Sequence, residues 1–535
     1  MPGFLIMAAT VILACVLCNK LTSRLGIPAL LAFIILGMLF GSDGLNIIPF
    51  DNYKLAEQIC SIALIFIIFY GGFGTNWREA RPVAVKAALL SSLGTVLTAG
   101  LVGVFCYFVL HIKLLESLLI GSVISSTDAA SVFSILRSKK LGLKYNTASM
   151  LEIESGSNDP FSYMLTVIVL SLMNGGFLPG RFIYAVFAQI AYGAVFGVGV
   201  ALLAILFLKK FKFAYAGSDA IFIVAVALTS YALPALLGGN GYLSAYITGI
   251  ILGNQHIKNK SSLVNFFDGM TGMMQMILFF SLGLLAFPSQ LPAIAPSAIL
   301  IALFLTFAAR PAAVFAIMSL FKCRFRQQLV VAWSGMRGAA SIVFAIIATV
   351  DPATTHNDIF HIVFFIVLFS ILLQGSLIPL VSRWLKMTDA SADVMKTFTD
   401  YTDEVPIQFI QFTVPASHPW AGRTVAKLPL PPDSILVLLI RGDEKIVPNG
   451  RTEILPGDVV ILSGAATSRI DGVNLYERRL QKGHRLIGKP LSELSGEDKL
   501  IIMICRGNSI LIPKGSTVLR ENDLLVVNET KSSGI

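Results

Sequence analysis

The sequence predicts a polytopic α-helical membrane protein with a separate α+β tail at its C-terminal end. Of its 535 residues, 55% are hydrophobic and only 13% are charged, whereas soluble proteins carry about 25% charged residues. The pattern changes after Trp384, where long apolar runs give way to short β-rich runs separated by turns. We therefore predict a transmembrane domain at residues 1–386, a linker at 387–404, and two tail modules at 405–467 and 468–535.

About thirteen apolar segments are candidates for membrane spans, since a spanning helix takes roughly 20 residues. The predicted spans are residues 4–22, 29–46, 55–75, 83–110, 114–137, 147–173, 181–209, 219–236, 239–253, 263–287, 293–321, 327–349 and 358–384. The second and the ninth are short and interrupted by glycine. No basic residue precedes the first apolar run, so we expect this span to be retained rather than cleaved as a signal peptide.

The net charge of +10 comes from lysine and arginine at the ends of the apolar spans, so it does not indicate nucleic acid as a partner. Alternate loops are rich in basic residues, whereas the opposite loops hold only Lys54, Lys113 and Arg181. Because basic loops remain on the cytoplasmic side, we expect the C-terminus in the cytoplasm and the N-terminus outside.

The membrane part contains an internal repeat. Three glycine pairs share an offset of 212 residues: Gly37 and Gly249, Gly41 and Gly253, Gly71 and Gly283. They match spans 2 and 3 with spans 9 and 10, and a shift of seven spans reverses the orientation. Glycines four apart also occur where helices merely pack, but several matches at one offset favour an inverted repeat, which is typical of secondary transporters.

Two polar stretches, residues 125–130 and 151–160, lie within apolar spans. Ionisable groups at membrane depth cost roughly 2.5–3.5 kcal/mol each and usually mark an ion or substrate path. We predict that the two stretches meet half-way across the bilayer. They supply the candidate ion- and proton-binding residues Thr127, Asp128, Ser155, Asn158 and Asp159.

These side chains, with the Thr127 carbonyl, offer hard oxygen ligands for a monovalent cation such as K⁺ or Na⁺. A Cys or His cluster for a transition metal is missing from the sequence around them. A carboxyl group kept away from water resists ionisation. Asp159 is therefore expected to hold a proton or a cation, but not both, which is the minimal mechanism of an antiporter. The inverted halves would supply alternating access. We expect a transporter and not an enzyme.

Two buried arginines have predicted structural roles. By the repeat, the span with Asp128 corresponds to the span with Arg337, and both are predicted to break at mid-depth. A break leaves helix ends with about half a charge each, so Asp128 would stabilise a positive end and Arg337 a negative end. Glu154 needs a buried partner. Arg310 and Arg337 are the candidates, and a structural ion pair is the preferred interpretation.

The tail contains a second repeat, at an offset of 65 residues, that relates Arg441 to Arg506 and Asp458 to Asp523. Each module of about 60 residues is small for an independent core, so we expect the two to pack as a pseudo-dimer. Arg441 and Arg506 are either phosphate-binding residues or solvated turn arginines.

Three motifs carry a family resemblance: Ser-Thr-Asp-Ala-Ala within residues 125–130, Glu-Ser-Gly-Ser-Asn-Asp-Pro at 154–160, and Gly-Met-Arg-Gly-Ala at 335–339. With them, the whole chain resembles the CPA1-type monovalent cation/proton antiporters, and most closely the bacterial potassium/proton antiporters. The resemblance implies an NhaA/NhaP-like fold with crossed broken helices, a homodimer in the bacterial inner membrane, and an elevator-like motion.

The resemblance also implies roles for individual residues. Asp159 would be the acid that carries the ion or the proton, with Thr127, Asp128 and Ser155 completing the site. Asn158 would support the site and mark electroneutral exchange. By the same analogy, the partner of Glu154 is Arg310.

The tail is similar to two copies of the RCK C-terminal (TrkA-C) module. Such modules bind small regulatory ligands, including cyclic di-AMP and other nucleotides, at a dimer interface. A GxGxxG-bearing Rossmann half does not precede them in the sequence, so NAD is not implied and we expect no resident cofactor.

Three other functions are alternatives to potassium/proton exchange. Sodium/proton exchange fits the same site residues. A ligand-gated cation channel needs a filter such as TVGYG, which the sequence lacks. An intramembrane aspartyl protease also uses two membrane acids, but its Tyr-Asp and Gly-x-Gly-Asp motifs are missing.

Overall fold

The computed structural model describes most of the chain. The described residues are 2–25, 29–128, 131–132, 135–136, 141–175, 179–211, 217–255, 257, 260–353, 355–389, 407–431, 434–442, 444–465, 475–480, 484, 486–494, 499–506, 509–511 and 513–529. The predicted linker from residue 390 onward and two alanines of the first polar stretch, Ala129 and Ala130, lie outside them. The chain divides into two compact units, residues 1–402 and 403–535.

The helices of the first unit follow the predicted spans. They are α1 (Pro2–Leu25), α2 (Ala29–Phe40), α3 (Tyr53–Gly74), α4 (Ala84–Val109), α5 (Leu114–Val123), α6 (Thr147–Gly175), α7 (Pro179–Lys210), α8 (Ser218–Leu236), α9 (Gly241–Gly253), α10 (Lys260–Leu285), α11 (Pro288–Phe321), α12 (Phe325–Trp333), α13 (Ala339–Val350) and α14 (Ile359–Trp384). A single turn at Trp77–Ala80 precedes α4, and a two-stranded ladder joins β1 (Gly142–Leu143) to β2 (Thr388–Asp389).

Among the described residues, seven helices are long and apolar enough to cross a membrane: α3, α4, α7, α8, α10, α11 and α14. Shorter apolar helices complete the pattern, and two predicted spans are broken helices. In one, α5 ends at Val123 and the chain is helical again by Ser131. In the other, α12 ends at Trp333 and α13 begins at Ala339. The predicted span 29–46 is too long, because the chain turns at Gly41 and reaches a left-handed backbone (φ 51°) at Asn46.

The helices pack as two bundles. In one, α3 packs on α9 and α10, α2 packs on α10, and α7 packs on α9. In the other, α4 packs on α5 and α11, α5 packs on α6, and α14 packs on α11 and α13. The bundles meet where α13 contacts α3 and where α6 contacts α9.

Glycine contacts display the inverted repeat. Gly37 of α2 lies so close to α10 that an added Cβ would come within 2.7 Å of the Gly283 Cα. Its repeat partner, Gly249 of α9, lies equally close to α3, where an added Cβ would be 2.9 Å from the Phe73 nitrogen. The prediction of related halves is confirmed, because the α2–α10 contact is copied by the α9–α3 contact.

One predicted pair within this repeat is wrong. An added Cβ on Gly72 would lie 3.1 Å from the Ile250 nitrogen of α9, whereas one on Gly71 would have no neighbour within 4 Å. The counterpart of Gly283 is therefore Gly72, and the offset between α3 and α10 is 211. Packing fixes this register, and two adjacent glycines left it ambiguous in the sequence.

The second unit contains two similar antiparallel sheets. In the first, the strands β3 (Ile407–Thr413), β5 (Ser434–Arg441), β6 (Glu444–Ile446) and β8 (Val459–Ala465) have the order β3-β8-β5-β6, and β4 (Arg423–Thr424) pairs with β7 (Glu453–Ile454). In the second, β9 (Leu475–Arg479), β10 (Lys499–Arg506), β11 (Ser509–Leu511) and β12 (Leu524–Glu529) have the order β9-β12-β10-β11.

Each sheet has its own small core. Leu439 and Val460 are buried in the first module, and the residues 65 positions later, Ile504 and Leu525, are buried in the second. Within the described residues of the tail, each module also contains one 3₁₀ turn. These turns are Val425–Lys427 in the first module and Leu491–Leu494 in the second. The common strand order confirms the repeat.

Candidate functional site

The two broken spans cross each other at their breaks. The backbone nitrogen of Asp128 donates to the Met336 carbonyl at 2.8 Å, which ties one break to the other. The Arg337 guanidinium is 1% exposed and donates from Nη1 to the Ser125 and Ser126 carbonyls, at 2.7 Å each. These carbonyls follow the C-terminal end of α5, so the cation lies at a negative helix end.

Asp128 lies at the opposite, positive ends of the broken helices. Its carboxylate accepts from the backbone nitrogen of Ser131 at 3.2 Å and from the Ser131 hydroxyl at 2.5 Å, as an N-terminal cap does. It also lies against Gly338, the residue that precedes α13, where an added Cβ would be 2.5 Å from the Asp128 Cγ. Only glycine leaves room for this carboxylate.

The remaining predicted site residues are brought together around the first break. The Ser126 hydroxyl donates to Asp159 Oδ1. The Asn158 amide donates to the Thr127 hydroxyl at 2.5 Å, and the Ser155 hydroxyl donates to the Thr127 carbonyl at 2.6 Å. The Thr127 carbonyl, which we predicted as a cation ligand, therefore accepts from Ser155.

Glu154 lies on another face of α6 and forms an ion pair with Arg310, one of its two predicted partners. Arg310 Nη2 and Glu154 Oε1 are 2.5 Å apart, and the side chains are 4% and 1% exposed. A π-helical turn, Leu305–Ala309, directly precedes Arg310 in α11. Such a turn changes the direction of the side chains that follow it and often marks a functional site.

A cavity of about 430 Å³ opens between the two bundles. Asp128 and Asp159 line it together with Thr127 and Ser155, while α3 and α10 form the facing wall. Asp268 of α10 is an exposed lining residue, and its Oδ1 accepts from the Tyr70 hydroxyl at 3.4 Å.

The sequence analysis did not predict several residues that lie at the site or line the cavity. A weak signal in the sequence existed for each of them. Ser126 stands beside Thr127 in the polar stretch. Glu152 is seven residues before Asp159, which places it on the same helix face. Asp268 is an acid within an apolar span.

Comparison with known proteins decides the family. Residues 8–384 match the family described as "Sodium/hydrogen exchanger, transmembrane". The chain belongs to this family. Residues 409–468 and 475–529 match the TrkA-C domain, so this sodium/hydrogen exchanger homologue carries two such domains in its tail.

Named relatives within the exchanger family agree with this assignment. The K(+)/H(+) antiporter NhaP of Alkalimonas amylolytica is 33% identical over 438 residues, which cover 80% of this chain and 75% of that protein. The K(+)/H(+) antiporter NhaP2 of Shewanella oneidensis is 30% identical over 482 residues, covering 89% and 83%. The structure of the sodium proton antiporter MjNhaP1 from Methanocaldococcus jannaschii matches with a TM-score of 0.61 at 23% identity, over 71% of this chain and 99% of that chain.

The two tail arginines form matched ion pairs. Arg441 Nε donates to Asp458 Oδ1 at 2.9 Å and Arg441 Nη2 to Oδ2 at 2.8 Å, while Arg506 makes both bonds to Asp523 at 2.8 Å. Each arginine also donates to one backbone carbonyl. These bonds hold the pKa of each aspartate below its ordinary value. They give both arginines a structural role in the tail sheets, and phosphate binding by these arginines stays a prediction.

Proposed function

We propose that this protein is a secondary active antiporter that exchanges K⁺ for H⁺ across the bacterial inner membrane. The observation that carries the proposal is Asp159, an acid that lines the cavity between the bundles and accepts a hydrogen bond from Ser126. The two relatives named K(+)/H(+) antiporter support potassium as the cation.

The charges around Asp159 argue for one-for-one, electroneutral exchange. Glu154 is neutralised by Arg310, and Arg337 and Asp128 lie at opposite helix ends. Asn158 is an amide and cannot ionise. Asp159 is then the acid that exchanges ligands, and its protonated form and its cation complex have the same net charge. Neither transport step moves net charge across the membrane.

Alternating access is proposed to come from an elevator-like movement of the bundle with the crossed breaks against the bundle with α3 and α10. The cavity between them would be the path to one side. By the distribution of basic loops, this is the cytoplasmic side, because α10 begins beside basic residues and Asp268 lies near that end. We further propose a homodimer with the tail in the cytoplasm, where its TrkA-C domains bind a regulatory ligand such as cyclic di-AMP.

Sodium/proton exchange is the second candidate. One solved structure with the same fold, MjNhaP1, is that of a sodium proton antiporter. The oxygen ligands of the site serve either alkali ion, so the geometry fits both.

The test is proton flux in proteoliposomes that contain a pH-sensitive dye. A potassium gradient should drive proton movement with a lower half-saturation than sodium, and the Asp159→Asn variant should be inactive while it folds and assembles as the parent does. Cation-driven flux in Asp159→Asn would refute the site. A lower half-saturation for sodium would favour the second candidate.

A further inference from the structure

We propose that the contacts between the two bundles on the outer side of Asp159 form a gate, which is closed in this structure and opens during the transport cycle. The gate consists of a hydrogen bond from Asn240 to α6 and of the aromatic rings of Tyr163, Tyr242 and Phe344. This inference rests on the proposed antiport function, and it names the residues that separate the site from the outer side of the membrane.

The cavity reaches α6 only as far as Asp159. Among the described residues, the part of α6 that lines the cavity runs from Glu152 to Asp159. This part lies toward the start of α6, which follows a basic loop of the predicted cytoplasmic side. The residues of α6 beyond Asp159 contact the facing bundle instead. A cation can therefore leave Asp159 toward the outside only after these contacts separate.

Asn240 joins the two bundles one residue beyond Asp159. It directly precedes α9 and is 1% exposed. Its side-chain oxygen caps α9 by accepting from the backbone nitrogen of Leu243 at 3.0 Å, and its side-chain nitrogen donates to the Pro160 carbonyl of α6 at 2.7 Å. The cap lies within one bundle, whereas the bond to Pro160 crosses to the other. The crossing bond exists only while α6 lies against the start of α9.

Aromatic rings cover the same interface. The ring centroids of Tyr163 in α6 and Tyr242 in α9 are 4.9 Å apart. Phe344 of α13 lies 5.7 Å from Tyr163 and 6.0 Å from Tyr242. Tyr163 and Phe344 belong to the bundle with the crossed breaks, and Tyr242 belongs to the facing bundle. Rings at these distances are in direct contact, and Tyr242 and Phe344 are each 0% exposed, so the rings close the interface to water.

The outer rim of the two bundles shows one more contact of this kind. Tyr53, the first residue of α3, and Phe360, near the start of α14, have ring centroids 5.4 Å apart at an angle of 84°. Both helices begin on the predicted outer side. The interface between the bundles is therefore aromatic from Asp159 outward, whereas the cavity lies on the opposite side of Asp159.

Contacts that exist in only one state set the balance between the two states. Loss of the Asn240 bond destabilises the inward-open state relative to the outward-open state. The apparent affinity for a ligand falls with the fraction of protein in the state that binds it. The half-saturating potassium concentration should therefore rise on the cytoplasmic side and fall on the outer side. Damage to the ion site itself would raise both values.

Asn240→Ser tests the hydrogen bond, because serine also caps a helix but its side chain is one atom shorter and does not reach Pro160. Potassium half-saturation is measured in everted and in right-side-out membrane vesicles. The ratio of the cytoplasmic to the outer value should rise about 3- to 10-fold, the usual effect of losing one hydrogen bond. Asn52→Ser is the matched control, since the Asn52 oxygen only caps α3 through Leu55, and its ratio should not change.

Phe344→Leu tests the rings independently of Asn240. It removes the contacts of this ring with Tyr163 and Tyr242, and the ratio should rise in the same direction. Phe105→Leu is its control. The ring of Phe105 in α4 stacks on that of Phe304 in α11 at 4.1 Å, within a single bundle, so its loss should leave the ratio as in the parent.

An unchanged ratio in Asn240→Ser, or an equal rise on both sides, overturns the gate. If that variant does not fold, the same result in Phe344→Leu does so. Where Asp159→Asn is inactive, such a result removes only the gate, whereas active exchange in Asp159→Asn overturns the proposed function itself.

Discussion

At the residue scale, Gly338 is the position where the available space alone decides which side chain can be present. A Cβ there would fall within 2.5 Å of the Asp128 carboxylate carbon. Alanine must therefore displace either Asp128 or the start of α13. We expect Gly338→Ala to reduce exchange at least about tenfold, since small misplacements of reacting groups cost roughly that or more. Proteoliposome flux measures it.

The matched control for this change is Gly100→Ala in α4. An added Cβ at Gly100 meets no atom within 4 Å among the described residues. This variant should transport at the parental rate. Equal activity of both alanine variants would show that Asp128 tolerates displacement and does not belong to the transport site.

A second residue-scale prediction concerns the ion pair of Glu154 and Arg310. Glu154→Gln leaves the buried guanidinium without its counter-charge, and breaking a buried pair costs about 3–5 kcal/mol. We expect a clearly lower Tm in detergent, followed by intrinsic fluorescence. Glu57→Gln, a half-buried acid without a resolved ion pair, is the control and should shift the Tm little. A parental Tm for Glu154→Gln would contradict a structural role.

Some residues at the crossing of the broken helices are easier to predict from the sequence than others. Asp128, Asp159 and Arg337 stand out because charge at membrane depth is costly, so each needs a reason. Ser126 and Gly338 carry no such signal, since serine and glycine are common in membrane helices. Their importance follows from which atoms approach each other at the crossing, and spacing along the chain does not reveal that.

At the element scale, the predicted spans all coincide with helices or broken helix pairs, because hydrophobic length is a local property. The ends are predicted less well. The glycines at 41 and 44 turn the chain after α2, in the Gly-Ser-Asp-Gly segment that the predicted span 29–46 included. The choice between Gly71 and Gly72 depended on contact with another helix, which no local pattern encodes.

The tail sheets support a prediction on pH at the same scale. Hydrogen bonds from Arg441 and Arg506 lower the folded pKa of Asp458 and Asp523. A lowered folded pKa stabilises the fold above the unfolded value, near 4, and this contribution is lost as the pH falls through the folded value. We expect hydrogen-exchange protection of β8 and β12 in the full chain to be constant from pH 8 to about 5 and to fall below about 4.

The tail repeat provides an internal control for that measurement. Asp458→Asn removes the charge pair from the first module only. Protection of β8 should then be weaker and less dependent on pH, while β12 keeps the parental profile. A parental profile for β8 in this variant would show that Arg441 does not stabilise the module.

At the scale of the whole molecule, transport and the tail belong to separate compact units. The cavity residues all come from the first unit. We therefore expect a chain that ends before residue 400 to retain exchange with an unchanged cation half-saturation, and to lose any response to nucleotides such as cyclic di-AMP. Loss of flux in a truncated but folded protein would contradict a purely regulatory tail.

The two offsets, 212 between α2 and α9 and 211 between α3 and α10, have a consequence for the tolerance of this fold to insertions. The two repeat copies differ in length by one residue. This difference lies in the loop that connects the paired helices, so it does not rotate either helix about its axis. The same added residue inside α10 would turn everything beyond it by about 100°, and Asp268 and Gly283 would no longer face their present neighbours together. A protein with a single residue inserted after Asn254 should therefore still fold, whereas one with a residue inserted at Met274 should not fold.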